Sequence, residues 1–321
     1  MGIDSATARF LCGARLAGVD FSTTATLGRQ ALGPYADELH EIFAALDVDS
    51  DPARFLRTNK FCEAFLAALG AARIESFDVS AYENASVIHD MNSPVPSQWY
   101  RQFTVVLDAG TLEHVFNIPQ ALANCMRMVR VGGHFIQVSA ANNFCGHGFW
   151  QISPELVFRA FASANGFKLR AALMHEVVPG GRWYRVTDPD MLKHRVELCN
   201  GTPTYLLAIA QRVRDQEIFA TVPQQSDYVA AWKTPATPHH EGNDAEAESA
   251  AVPSTNMGLI ASLRHRYRTS IPPRIRRAVR RTYQRCLPGT TGFPNRKGYR
   301  QPCYSEISED DVLRGRALLD R

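Results

Sequence analysis

No stretch of the chain approaches eighteen consecutive apolar residues, so a membrane-spanning helix is excluded. The opening segment MGIDSATARFLCGARLAG lacks a basic start followed by an apolar core, so no secretory leader is expected. Ala6 stands where an N-myristoylation signal needs Ser or Thr. The seven cysteines are scattered and form no Cys-x-x-Cys pair, which argues against a disulfide framework and points to reduced thiols in a cytoplasm. No histidine or cysteine pair has zinc-ligand spacing, so no metal site is expected. The absence of any Gly-x-Gly-x-x-Gly disfavours a nicotinamide dehydrogenase. No internal repeat is visible.

Acidic residues are missing altogether from one region. Of the 35 Lys and Arg, twelve lie between Arg264 and Arg300 with no Asp or Glu among them. The remainder therefore sets 23 basic against 32 acidic residues, an acidic body with a basic tail. Such a tail suits contact with an anionic surface or docking on its own acidic domain. No aromatic platform interleaves its arginines, so no nucleic-acid module is expected. Residues 216–257, with PQQS, TPATPHH and EGNDAEAESA, read as a disordered polar linker, and 258–321 as a basic helical extension broken at Pro272-Pro273.

What remains, residues 1–215, has 3.6-residue periodicities alternating with short apolar and β-branched runs, the pattern of a mostly parallel sheet covered by helices. Strands are predicted at Phe21–Leu27, Arg73–Phe77, Ser86–His89, Phe103–Leu107, His134–Val138, Phe167–Met174 and Thr204–Ala210. Helices are predicted from Pro34 to Ala45, Phe61 to Leu69, Pro119 to Val129, and from a Ser153-Pro154 start to an Asn165-Gly166 stop. The expected fold is a Rossmann-like, doubly wound, seven-stranded α/β sheet with helices on both faces. In such sheets ligands bind beyond the carboxyl ends of the strands. Three strands end there in aspartate: Asp78, Asp90 and Asp108.

The stretch FTVVLDAGTLEHVFNIPQALANCMRMVRVGGHF, Phe103 to Phe135, resembles the fourth strand, following helix and fifth strand of the class I S-adenosylmethionine-dependent methyltransferases. GHGFWQISPELVFRAFASANGFKL resembles the same family's substrate-side loop and next helix-strand unit. The resemblance covers roughly residues 21–212 and is strongest over 100–170. It implies S-adenosylmethionine as cofactor, with Asp78 on the ribose diol, Asp90 and Met91 at the adenine, and Gly28, Asp108 and Glu113 lining the site.

The family's glycine-rich loop after the first strand is reduced here to TTATLGRQALG, where Gly28 stands in place of several glycines. Arg29 is then expected to hold the cofactor carboxylate. His147, in a glycine-flanked loop, is the preferred general base, with His114 as the second candidate. Phe149 and Trp150 suit stacking on a sugar or aromatic acceptor, or serve as core aromatics. The reading is a methyltransferase acting on a small molecule or saccharide, on oxygen; the alternative is a non-catalytic binding or scaffold protein that kept the fold.

Overall fold

The computed structural model describes residues 2–192, 200–233 and 303–319. A nine-stranded sheet runs through the molecule in the order β3-β2-β1-β4-β5-β8-β6-β7-β9. Its strands are β1 (Thr23–Leu27), β2 (Arg73–Asp78), β3 (Val87–Ile88), β4 (Phe103–Ala109), β5 (Val129–Asn142), β6 (Phe167–Glu176), β7 (Trp183–Val186), β8 (Thr204–Arg212) and β9 (Tyr304–Ile307). β1 pairs in parallel with both β2 and β4, and β4 in parallel with β5. The chain thus winds outward from β1 in one direction and from β4 in the other. The gap between their carboxyl ends is the topological switch point, where doubly wound sheets bind ligands.

All seven strands expected from the sequence are present. β4 is buried along its whole length, as a central parallel strand covered on both faces must be. Alternation along it feeds two cores. Val106 packs with Leu122 and Met126 of α5 (Ile118–Met128) on one face. Val105 and Leu107 join Phe10 and Leu11 of α1 (Ser5–Leu16), and Leu39 and Ile42 of α2 (Ala36–Leu46), on the other. α1 begins where the Asp4 carboxylate accepts the Thr7 N–H at 2.8 Å. Two short helices, α3 (Pro52–Thr58) and α4 (Glu63–Ala68), complete that layer before β2.

The sheet extends two strands beyond the expected seven. β7 and β9 are antiparallel additions at one edge, and β9 comes from the last residues of the chain. Residues 258–321 were expected to form a basic C-terminal extension. The described end of that stretch belongs to the same compact unit as the sheet. After β9, a short helix (Glu309–Leu313) and the following turn bury Val312, Leu313 and Leu318 in the core that α1 serves. Glu309 pairs with Arg9 of α1 at 2.9 Å. The apolar residues Val312, Leu313 and Leu318 carry this docking, and they lie outside the basic stretch that dominated the sequence reading.

The expected linker also begins with structure. A helix at Ser226–Lys233 starts where Ser226 N–H and Oγ meet the Glu155 carboxylate at 2.7 and 3.0 Å. The rest of the linker and the basic segment 264–300 lie outside the described residues. Among the described residues, no helix is long and apolar enough to cross a membrane.

Candidate functional site

At the switch point the chain leaves β1 through Gly28, whose φ of +69° favours glycine. Its N–H donates to the Phe77 carbonyl at 2.7 Å, tying it to the end of β2. A Cβ here would lie 3.1 Å from Thr111 Oγ1, 3.3 Å from Gln30 Nε2 and 3.9 Å from Asp78 Oδ2. Bare backbone therefore faces three converging polar groups. Asp78 is half-buried, and its Oδ1 accepts the Ser80 N–H at 3.0 Å.

Asp90 and Met91 fare differently. Asp90 is exposed, and its Oδ1 accepts from Asn92 N and Nδ2 at 2.9 and 2.7 Å. Those two bonds hold its pKa below the usual carboxylate range. Met91 is buried in the core. The loop that carries both is pinned by Asn124 of α5, a residue the sequence reading did not single out. Its side chain accepts Val95 N–H at 3.0 Å and donates to the carbonyls of Ser93 and Met91 at 2.8 and 3.2 Å.

Arg29 was expected to hold a cofactor carboxylate, but the structure commits it elsewhere. Its guanidinium pairs with Glu63 of α4 at 2.5 Å, donates to the Glu83 carbonyl at 3.0 Å and lies 4.2 Å above the Phe61 ring. The residue that faces the crevice is Gln30. It is buried, and its amide donates to the Leu27 carbonyl and to Thr111 Oγ1. A polar residue beside a lone glycine gave no signal of this in the sequence, because the space it fills exists only once β1 and β4 are adjacent.

Asp108 also departs from expectation. It is fully buried at the end of β4 and caps the turn that follows. Oδ1 accepts the N–H groups of Thr111 and Leu112 at 2.9 and 3.1 Å, and Oδ2 accepts from Ser139 Oγ at 3.3 Å. Burial raises its pKa, while these donors favour the charged form.

That capped turn delivers Glu113 and His114 side by side, in a single 3₁₀ turn at Leu112–His114. The loop after β5 supplies His147. It is anchored at Asn143, whose Nδ2 donates to Asn200 and to the Thr202 carbonyl. Gly148 then presses this loop against the turn. Its φ is +69°, and a Cβ would come within 2.7 Å of the Glu113 carbonyl oxygen. The N–H groups of Phe149 and Trp150 donate to that same oxygen at 2.8 and 3.2 Å.

This close seam excludes water from the Glu113 side chain, which is completely buried. Among the described residues, neither of its carboxylate oxygens meets a donor in hydrogen-bonding geometry. Burial, and then the charge of Asp108, push its pKa up to about 8, against a smaller opposing influence from backbone N–H groups of Glu113 and Ala140. His147 Nε2 stands 3.6 Å from Glu113 Oε1 and is likewise unpartnered among the described residues. The His114 and His147 rings meet edge to face at 4.8 Å. Burial lowers the pKa of both histidines, and the neighbouring His147 adds to the effect at His114.

Beside this cluster is an aromatic rim. Phe116 packs edge-on to Phe149 at 5.8 Å and lies 6.4 Å from Trp150, with all three exposed. Trp150 Nε1 donates to the Val115 carbonyl at 3.0 Å, which fixes its ring. These aromatics are surface residues and not the core residues that one reading of the sequence allowed. The structure thus joins Gly28 with Asp78, and Glu113 with His114 and His147, while Arg29, Asp90 and Asp108 are occupied with their own surroundings.

No family model and no curated protein matches the chain. Solved structures do resemble it. A protein of Bacillus halodurans, provisionally described as a methyltransferase, shares 13% identity over 64% of this chain and 99% of its own, with a TM-score of 0.33. Geranyl diphosphate methyltransferase in complex with S-adenosylmethionine shares 15% identity over 65% of this chain and 85% of its own, at 0.34. The branched-chain polyamine synthase of Thermus thermophilus, in complex with N4-aminopropylspermidine and 5′-methylthioadenosine, shares 12% over 67% and 60%, at 0.33. The likeness is one of fold alone, and the Rossmann-like assignment of this chain rests on its strand order and switch point.

Proposed function

We propose that the protein transfers a methyl group from S-adenosylmethionine to a hydroxyl of a small molecule or saccharide. The observation that carries this reading is the placement of two groups on either side of one switch point. Gly28 and Asp78 stand at the ends of β1 and β2, and the Glu113, His114 and His147 cluster stands beyond β4 and β5.

Bound S-adenosylmethionine supplies a methyl group already activated on a sulfonium, so the protein's task is alignment. Asp78 can accept both hydroxyl hydrogens of a ribose beside the bare Gly28 backbone. Burial favours the neutral form of His147, and its Nε2 has no hydrogen-bond partner among the described residues, so it can take the proton that a hydroxyl acceptor loses. Phe116, Phe149 and Trp150 offer ring faces and edges to a sugar or aromatic acceptor at the rim. The described cysteines are all free, which suits a reducing cytoplasm.

A second reading, a binding or scaffold protein on the same fold, is favoured by Gln30, which fills part of the crevice where a cofactor would lie. Thermal melting separates the two. At about 100 times its dissociation constant, S-adenosylmethionine should stabilise the protein by roughly 2.7 kcal/mol. No shift with S-adenosylmethionine or S-adenosylhomocysteine at millimolar concentration would leave the scaffold reading in its place.

A further inference from the structure

We propose that Glu113, His114 and His147 together bind one divalent transition-metal ion of the manganese-to-zinc class. Each residue offers one ligand atom, and the three atoms lie within 4.8 Å of one another. Spacing in the sequence hid this set, because two of its members are adjacent and the third comes from a loop beyond the next strand.

The cluster is poorly explained by contacts among its own members. A buried carboxyl group normally finds donors, and one left without them costs about 1–3 kcal/mol. Glu113 has no geometrically good donor, and His147 Nε2 stops 3.6 Å short of it, beyond a hydrogen bond. A cation placed among the three would satisfy both carboxylate and imidazoles at once.

A tetrahedral ion with ligand bonds near 2.0–2.1 Å separates its ligands by roughly 3.3 Å, so the 3.6 Å gap between Glu113 and His147 is already close. His114 is exposed, and its ligand atom lies within 4.8 Å of the other two.

The donor chemistry selects the ion. Two neutral imidazoles and one carboxylate suit zinc, manganese or their neighbours, whereas magnesium prefers oxygen ligands alone. Three protein ligands leave coordination positions open on the solvent side, beside the Phe116, Phe149 and Trp150 rim. That is the ligand count of a catalytic site, where an ion acidifies a bound hydroxyl or water. With the ion present His147 is a ligand, so its role as a base belongs to the metal-free protein. The proposal rests on the cluster's geometry and is independent of methyl transfer.

The test uses the full, tag-free chain, titrated calorimetrically with zinc, manganese and magnesium chloride in the absence of cofactor and acceptor. One zinc or manganese ion should bind per chain, more tightly than magnesium. Glu113→Gln and His147→Ala should each weaken binding by at least about 100-fold, whereas His89→Ala, at the end of β3, should not. Glu113→Gln keeps the side chain's volume, so a melting temperature no lower than that of the wild type without metal would show that the fold survives. Cobalt should give visible absorption bands in the wild type that disappear in Glu113→Gln. Absence of zinc and manganese binding at millimolar concentration would overturn the proposal. So would equal binding by Glu113→Gln and His147→Ala, or magnesium bound as tightly as zinc.

Discussion

The two sides of the switch point are built on opposite principles. On the β1 side, polar groups satisfy one another: Arg29 with Glu63 and the Glu83 carbonyl, and Gln30 with Leu27 and Thr111. Beyond β4, a carboxyl group is buried and an imidazole nitrogen faces it, and neither makes a hydrogen bond of good geometry among the described residues. Saturated networks make a fold rigid, whereas unsatisfied buried groups cost stability and persist where something else uses them. The difference separates a loop that shapes the crevice from a cluster equipped to do chemistry. It also predicts that substitutions on the two sides will differ in kind.

The largest effect should come from the unsatisfied side. If His147 takes the acceptor proton, His147→Ala should lower turnover by about 10²–10⁴-fold while leaving cofactor affinity nearly unchanged. In the wild type, kcat/KM should rise with pH through a pKa below the usual histidine value, because burial lowers it and the neutral form is the active one. Survival of that acidic limb in His147→Ala would assign it to another group.

Asp78 belongs to the β1 side yet keeps one carboxylate oxygen beside Gly28. Asp78→Ala should weaken S-adenosylmethionine by about 1.5–3 kcal/mol, the value of a charged hydrogen bond, with folding intact. Calorimetry that finds equal affinity would remove Asp78 from the site.

Glu113 tests the cost of the unsatisfied side directly. Its folded pKa, raised to about 8, exceeds the unfolded value near 4.5, so the folded protein holds a proton that the unfolded chain releases. That contribution to stability is fully present below about pH 4.5 and is lost as pH rises through about 8. Glu113→Gln removes the titrating group. The metal-free variant should match the wild type at pH 4.5 and exceed it by about 1–3 kcal/mol above pH 8. Urea denaturation at several pH values reads this out, and a parallel loss in both proteins would mean that Asp108 or another buried acid carries the slope.

Most of the fold was legible because its signals are local. Phe103–Leu107 is a continuous apolar run, and α5 places Leu122, Cys125 and Met126 on one face. β7 and β9 were missed since Trp183–Val186 and Tyr304–Ile307 are four-residue strands that have meaning only once paired, β7 with β6 and β9 with β7. The same distinction runs through the site. Aspartates at strand ends mark the carboxyl edge in sequence, but whether each carboxylate faces the crevice or caps its own turn depends on neighbours. Asp108 is claimed by Thr111 and Leu112, and Asp90 by Asn92. Glu113 and His147 meet only because Gly148 lets two loops touch.

Arg29 provides the finest test of the contrast, because sequence and structure assign it different work. A guanidinium that held a cofactor's carboxylate would make Arg29→Ala cost ten-fold or more in affinity, about 1.4 kcal/mol. The structure instead gives it a half-exposed ion pair with Glu63 and a place over the Phe61 ring. Exposed pairs of this kind contribute about 0.2–1 kcal/mol to stability. Arg29→Ala should therefore lower the unfolding free energy by no more than about 1 kcal/mol and change S-adenosylmethionine affinity by less than about three-fold. Glu63→Ala should cost a similar amount, and the double variant little more than either, because the two residues lose one shared interaction. Affinities for S-adenosylmethionine and adenosine sharpen the comparison further. If Arg29→Ala weakens the first and spares the second, the arginine leaves Glu63 for the cofactor, and the β1 side is not the closed network its hydrogen bonds describe.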